Sequence, residues 1–138
     1  MIDTQTRLDA IDLFSRLYIE VDSENAAGWA QFFAEDGVFV APYGEYPGRK
    51  AVQEFMEEHV RQGKEKGVRH FLTNFVTDAQ GADCRVRFYI LKLNVAVGPG
   101  FIATAGGDAV VRKTADGWRI ARFKLAIDSG SLPRTTGK

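Results

Sequence analysis

Residues 68–76 read "VRHFLTNFV". β-Branched and aromatic residues dominate this run and no proline interrupts it, which is the composition of a strand. On a strand successive side chains face opposite ways, so Val68, His70, Leu72, Asn74 and Val76 share one side, and Arg69, Phe71, Thr73 and Phe75 the other. The first side is apolar except for an asparagine and one of only two histidines in the chain. An apolar face that keeps an imidazole and an amide is expected to line a cavity rather than a solid core.

Downstream, three further runs at residues 84–97, 101–113 and 118–127 have strand composition. They are separated by "DAQGAD", "GPG" and "TADG". Short glycine-containing links between long strands predict an antiparallel meander. Upstream, Leu8, Ile11, Phe14, Leu17, Tyr18 and Val21 recur at helical spacing and predict a helix over residues 6–21. Asp22, Ser23 and Asn25 can each cap a short second helix that buries Trp29, Phe32 and Phe33 and breaks at Asp36-Gly37. "VFVAPY" reads as a short strand ended by Pro42, and "GEYPGR" as a turn-rich connection. A third helix over 51–62 buries Val52, Phe55, Met56 and Val60, and "GKEKG" is read as a solvated loop. The order predicts an α+β fold, in which three N-terminal helices and a cone-shaped, curved antiparallel or mixed sheet enclose a pocket. A single domain over 1–138 is expected, with a flexible tail from about residue 129.

The chain has 138 residues, 45% hydrophobic and 26% charged, which suits an ordinary globular domain. Lys plus Arg and Asp plus Glu are both 18, so no polyanionic partner and no nucleic acid is expected. The only cysteine, Cys84, has no internal disulfide partner. No run is long and apolar enough for a bilayer, so a cytoplasmic protein without membrane contact is expected. Two separated histidines and one cysteine offer no metal-ligand spacing. "VGPGFIATAGG" lacks the strand-to-helix setting of a phosphate loop, so neither metal nor cofactor is expected.

Three stretches carry a family resemblance: "VDSENAAGWAQFFAEDGVFVAPYGEYPGR" at 21–49, "RHFLTNFV" at 69–76 and "DAVVRKTADGWRIARFKL" at 108–125. In this order and spacing the chain resembles the SnoaL-like branch of the nuclear-transport-factor-2-like superfamily. That branch includes dehydratases, polyketide cyclases and steroid isomerases, and also the non-catalytic small subunits of ring-hydroxylating dioxygenases. The scytalone dehydratase pattern, carried over by position, puts an aspartate on Asp22 and a strand histidine on His70. Its pocket asparagine falls near Asp108, and it departs from this chain at Val21 and near Leu93. The bile acid dehydratases and polyketide cyclases resemble the chain through a histidine and an aspartate at His70 and Asp108.

Such enzymes take a proton from carbon beside a carbonyl and deliver one elsewhere, which calls for a base near neutrality and a group that orients it. His70 is the candidate acid/base, with Asp22 and Asp108 as partners. The plainer reading of His70 is a core histidine bonded to a backbone carbonyl. Asp108 stands where a strand interior is ordinarily apolar, so it either serves the pocket or belongs to a turn after Gly106-Gly107. Asp22 either pairs with His70 or caps the second helix. Tyr18 and Tyr43 are candidate substrate-binding donors or packing groups. Asn74 shares the face of His70 and is a candidate ligand donor or a partner of the neighbouring strand, and Arg122, placed with Lys124 on the face of Trp118 and Ile120, either binds a substrate carboxylate or belongs to a solvated strand face or a subunit contact. His59, among "EEH", is expected in solvent. Two functions follow. One is a cofactor-independent lyase or isomerase acting by proton transfer on a small apolar cyclic or polyketide-like substrate. The other is a non-catalytic binding protein or accessory subunit. For the second, the convex face with Phe71, Phe75 and Phe88 is the expected oligomer contact; a homodimer fits both.

Overall fold

Asp3 begins the first helix by accepting a hydrogen bond from the backbone N–H of Thr6 at 2.7 Å, satisfying one of the donors that a helix start leaves free. The computed structural model describes residues 2–98 and 100–131. Helix α1 spans Thr4–Asp22, α2 Ala26–Ala30 and α3 Arg49–Arg61. The buried stripe of α1 runs through Ala10, Leu13, Phe14, Leu17, Tyr18 and Val21. Leu8, expected in that stripe, is exposed. Asn25 caps α2, its side-chain oxygen accepting from the N–H of Gly28 at 3.0 Å. The capping role considered for Asp22 is thus filled by another residue, and Asp22 is free to reach elsewhere.

Strand β1 spans Phe33–Ala41, β2 Gly44–Pro47, β3 Val68–Gln80, β4 Asp83–Asn94, β5 Gly100–Thr114 and β6 Gly117–Ile127. They form one mixed sheet in the order β2-β1-β6-β5-β4-β3. The meander from β3 to β6 is antiparallel and β1 joins β6 in parallel. Two expectations are corrected here. Asp36-Gly37 does not end an element but lies inside β1, where the register with β6 shifts between Phe33 and Val38. A Cβ on Gly37 would stand 2.5 Å from the carbonyl oxygen of Ile120, so a larger residue would push the strands apart. "GEYP", read as a turn, is strand β2 paired with β1.

The helices cover the concave side of the sheet. Phe14 of α1 packs on Phe88 and Phe123 with ring centroids 4.7 and 5.5 Å apart. Trp29 meets Phe33 and Phe39 at 5.1 and 5.3 Å. Burial of each such side chain stabilises the fold by roughly 1.5–3 kcal/mol. After β6 a 3-10 turn at Ser129–Ser131 returns to the sheet, where the Ser131 hydroxyl accepts from the N–H of Thr104 at 2.8 Å. The tail expected to be flexible lies, beyond residue 131, outside the described residues.

Two irregularities decide which side chains face inward. In β3 the register against β4 shifts between Thr73 and Val76, and Asn74 adopts a left-handed φ of 59°. One extra residue in a strand resets its alternation. Phe75 therefore turns inward and stacks on Phe88 at 5.2 Å, while Asn74 turns out. In β6 the register against β5 shifts between Val110 and Val111, which face Arg122 and Ile120. Ile120 and Phe123 both point into the core and Arg122 into solvent. Phe75 and Phe88, expected on the convex face, belong to the interior; Phe71 remains outside and 46% exposed.

Candidate active site

The sheet and the helices enclose a cavity of about 240 Å³. Its apolar walls include Val21 of α1, Phe55 and Met56 of α3, Ile90 of β4 and Leu125 of β6. Its polar groups are few and come from different elements: Tyr18, Tyr43, His59, Glu65, His70 and Lys92.

His70 stands at the third position of β3, before the bulge, so its ring follows the inward alternation from Val68. Asp22 is the last residue of α1, and its carboxylate meets His70 twice. Oδ1 lies 2.6 Å from Nδ1, and Oδ2 accepts the backbone N–H of His70 at 3.1 Å. A carboxylate only accepts, so the ring proton sits on Nδ1 and Nε2 is the nitrogen left for chemistry. Both side chains are largely buried, at 8% and 16% exposure. The ring of Tyr18 packs on His70 with centroids 4.8 Å apart. Burial, reinforced by the charges of Glu65 and Asp22, pushes the Tyr18 phenol far above its ordinary value. That hydroxyl stays protonated and can only serve as a neutral donor or acceptor.

Asp108, expected beside His70, is on the opposite face of the sheet. Ala105, Ala109 and Val111 of β5 are buried and face the helices, whereas Asp108 is partly exposed on the other side. There Arg85 grips it with two hydrogen bonds of 2.9 and 2.7 Å. The Arg85 hydrogen bond, opposed in part by burial, holds the carboxyl below its ordinary value. Asn74 and Arg122 are outside as well, carried there by the two bulges. Of the residues singled out in the sequence, the structure brings together Asp22, His70, Tyr18 and Tyr43.

Three residues were not foreseen. Glu65, in the loop read as solvated, is 4% exposed. Its Oε1 lies 3.4 Å from Lys92 Nζ and its Oε2 3.8 Å from His70 Nε2. Lys92 stands directly opposite His70 in the β3–β4 register. It continues the inward series Cys84, Val86, Phe88 and Ile90, and that alternation was the available signal. His59, expected in solvent, is half-buried at the cavity rim, its Nε2 3.0 Å from the Tyr43 hydroxyl. Burial, followed by the nearby Lys64 and Lys92 charges, lowers its pKa to about 4, against the opposing effect of Glu58. Among the described residues no group of three or more His, Cys, Asp or Glu is placed to hold a metal ion. No helix among them is long and apolar enough to cross a membrane.

A curled mixed sheet wrapped round an apolar cavity beneath N-terminal helices defines the cone-shaped α+β class of the nuclear-transport-factor-2-like proteins. The chain belongs to the SnoaL-like domain family, whose pattern matches residues 3–124. No curated protein matches the sequence. Among solved structures, it is similar to a protein of unknown function with a cystatin-like fold from Nostoc punctiforme, with 20% identity over 96% of this chain and 97% of that one and a TM-score of 0.86. It is similar to ActVI-ORFA from Streptomyces coelicolor, with 23% identity over 86% and 95% of the two chains and a TM-score of 0.77. A third similar structure is an NTF2-like protein from Novosphingobium aromaticivorans, with 22% identity over 96% and 94% and a TM-score of 0.77. At these identities the likeness speaks for the fold alone.

Proposed function

We propose that this chain is a cofactor-independent lyase or isomerase, of dehydratase or cyclase type, acting by proton transfer on a small, largely apolar cyclic or polyketide-like compound. The observation that carries the reading is the Asp22–His70 pair in the wall of an apolar cavity, with Nε2 of His70 free of hydrogen bonds among the described residues. Nε2 takes a proton from carbon next to a carbonyl. Asp22 holds the Nδ1 proton and offsets the charge that the ring then acquires. The same nitrogen returns the proton to a departing hydroxyl, to another carbon, or to the oxygen of a second carbonyl whose carbon the enolate attacks to close a ring, which are the dehydration, isomerisation and cyclisation outcomes. A positioned base of this kind is worth about 10²–10⁴-fold in rate. Tyr18 and Tyr43 contribute hydrogen bonds to the ligand, and the apolar walls supply binding at roughly 25 cal/mol per Å² buried. A cytoplasmic homodimer belongs to the same proposal. The exposed side chains Phe71, Tyr89 and Leu91 give the outer face of β3 and β4 an apolar patch suited to a second copy.

The test is a screen of cyclic and polyketide-like ketones and hydroxy ketones against the wild type and His70→Ala. Turnover by the wild type that vanishes in a folded His70→Ala protein supports the reading. Undiminished turnover in that variant removes His70 from the chemistry. Ligand binding without turnover of any compound would favour the binding or accessory-subunit function instead.

A further inference from the structure

The proton transfer assigned to Asp22 and His70 leaves one buried and one part-buried charge in the same cavity without a task. They belong to Glu65, 4% exposed as a residue, and to Lys92, whose side chain is 24% exposed. Were they only a clasp fastening the loop after α3 to β4, a tight pairing would be expected, since charge-assisted bonds shorten to about 2.7–2.9 Å. The observed separation is 3.4 Å. Glu65 Oε2, moreover, is buried and has no hydrogen-bond partner among the described residues. Buried carboxylate oxygens without a partner are costly and uncommon. Trp29, a third member of the cavity wall, has its Nε1–H in the same condition at 1% residue exposure. The residues of the cavity wall therefore carry a spare acceptor on Glu65, spare donors on Lys92 and one on Trp29, beside Tyr18, Tyr43, His59 and His70 and among apolar side chains. Spare polar capacity facing an apolar cavity is what fixes the orientation of a ligand.

We propose that Glu65 and Lys92 form an oxygen-reading subsite that selects ligands carrying a hydroxyl beside a carbonyl, the hydroxyl donating to Glu65 Oε2 and the carbonyl oxygen accepting from Lys92 Nζ. The inference rests on the proton-transfer reading of this cavity and narrows its substrate class from apolar ketones to hydroxy ketones and their enols. The geometry joins the two sites. Glu65 Oε2 is 3.8 Å from His70 Nε2, close enough for one ligand oxygen to touch both. His70 and Lys92 face each other across neighbouring strands, so a carbonyl on Lys92 places its adjoining carbon toward the base. When that carbon loses its proton to Nε2, the electron pair moves onto the carbonyl oxygen, and the ammonium of Lys92 stands where the negative charge develops. Lys92 and Glu65 are thus specificity-determining residues.

The experiment compares α-tetralone with its α-hydroxy derivative by isothermal titration calorimetry. It uses the wild type, Lys92→Met, Glu65→Gln and the charge-balanced double variant Lys92→Met/Glu65→Met. The wild type is expected to prefer the hydroxy ketone about tenfold, as one good added polar contact to a charged group gives. The preference should shrink toward unity in Glu65→Gln and in the double variant, whereas Lys92→Met should weaken both ketones together, since both carry the carbonyl. The double variant guards against a single change that unfolds the loop by leaving one buried charge alone. Absence of a wild-type preference, its persistence in the double variant, or failure of both ketones to bind the wild type would overturn the subsite. None of these outcomes bears on His70, whose role is judged by turnover in the screen.

Discussion

Nδ1 of His70 lies 2.6 Å from Oδ1 of Asp22, and the backbone N–H of the same histidine donates to Oδ2 at 3.1 Å. The last side chain of α1 thereby fixes both the ring and the start of β3. An amide in place of the carboxylate cannot do both, since the two donors go to different oxygens and one of those positions becomes an NH2 group that only donates. We expect Asp22→Asn to lose about 1–3 kcal/mol of stability, the cost of a missing bond to a charged group in a mostly buried place. The ring proton should redistribute from Nδ1 toward Nε2, which nitrogen-15 shifts of the imidazole report without any substrate. Turnover should fall by about 10²-fold or more. An unchanged tautomer would show that Asp22 does not set it.

Asn74 serves backbone shape, by its place in β3. It sits at the bulge with φ of 59°, a region that asparagine and glycine tolerate and β-branched residues do not. Asn74→Gly should be close to neutral in urea unfolding, and Asn74→Val should cost about 1–3 kcal/mol. Neither should alter ligand affinity, because the side chain is outside. A selective loss of affinity in Asn74→Gly would return this residue to the pocket.

Asp108 gives the complementary expectation. Its side chain is 45% exposed and that of Arg85 41%, so the pair is worth about 0–1 kcal/mol after solvent screening. The carboxyl is held below its ordinary value, chiefly by the Arg85 hydrogen bond. Its contribution is therefore present above the unfolded value of 3.8 and is lost as pH falls below it. Asp108→Asn should leave turnover intact and remove that small acid-side loss. A collapse of turnover comparable with that of Asp22→Asn would contradict the placement of Asp108 on the outer face.

The elements were legible because periodicity survives along most of each one. Phe14, Leu17, Tyr18 and Val21 mark the buried side of α1, and the glycine-bearing links mark the meander. Asp22 and His70 were legible for a local reason: each lies before the nearest irregularity, Asp22 at a helix end and His70 ahead of the bulge. Asn74 and Arg122 were misplaced by one cause, since a single extra residue in β3 and in β6 inverts every side chain that follows. Asp108 was read as a costly buried acid, although Arg85 on the neighbouring strand gives it an exposed partner. Glu65 had no local signal. "GKEKG" has loop composition, and its burial arises from Lys92 and His70 on two strands that close over it.

His59 supplies a pH signature independent of any substrate. In the folded chain its pKa is lowered from 6.5 to about 4, first by burial and then by Lys64 and Lys92, against Glu58. Between about pH 4 and 6.5 the unfolded chain therefore binds a proton that the folded chain refuses. Stability from this site is full above 6.5, falls as pH drops through that window and levels off below it. The ring is only half-buried, so screening keeps the effect modest. His59→Gln removes the titration. The difference in Tm between variant and wild type should accordingly move in favour of the variant from about pH 7.5 to about pH 4.5. A proton NMR titration reads the same event directly, with the wild-type midpoint near 4 and a higher one in Lys64→Met, which lacks one of the repelling cations. A midpoint at the ordinary histidine value would mean that water, not the cavity rim, surrounds this ring.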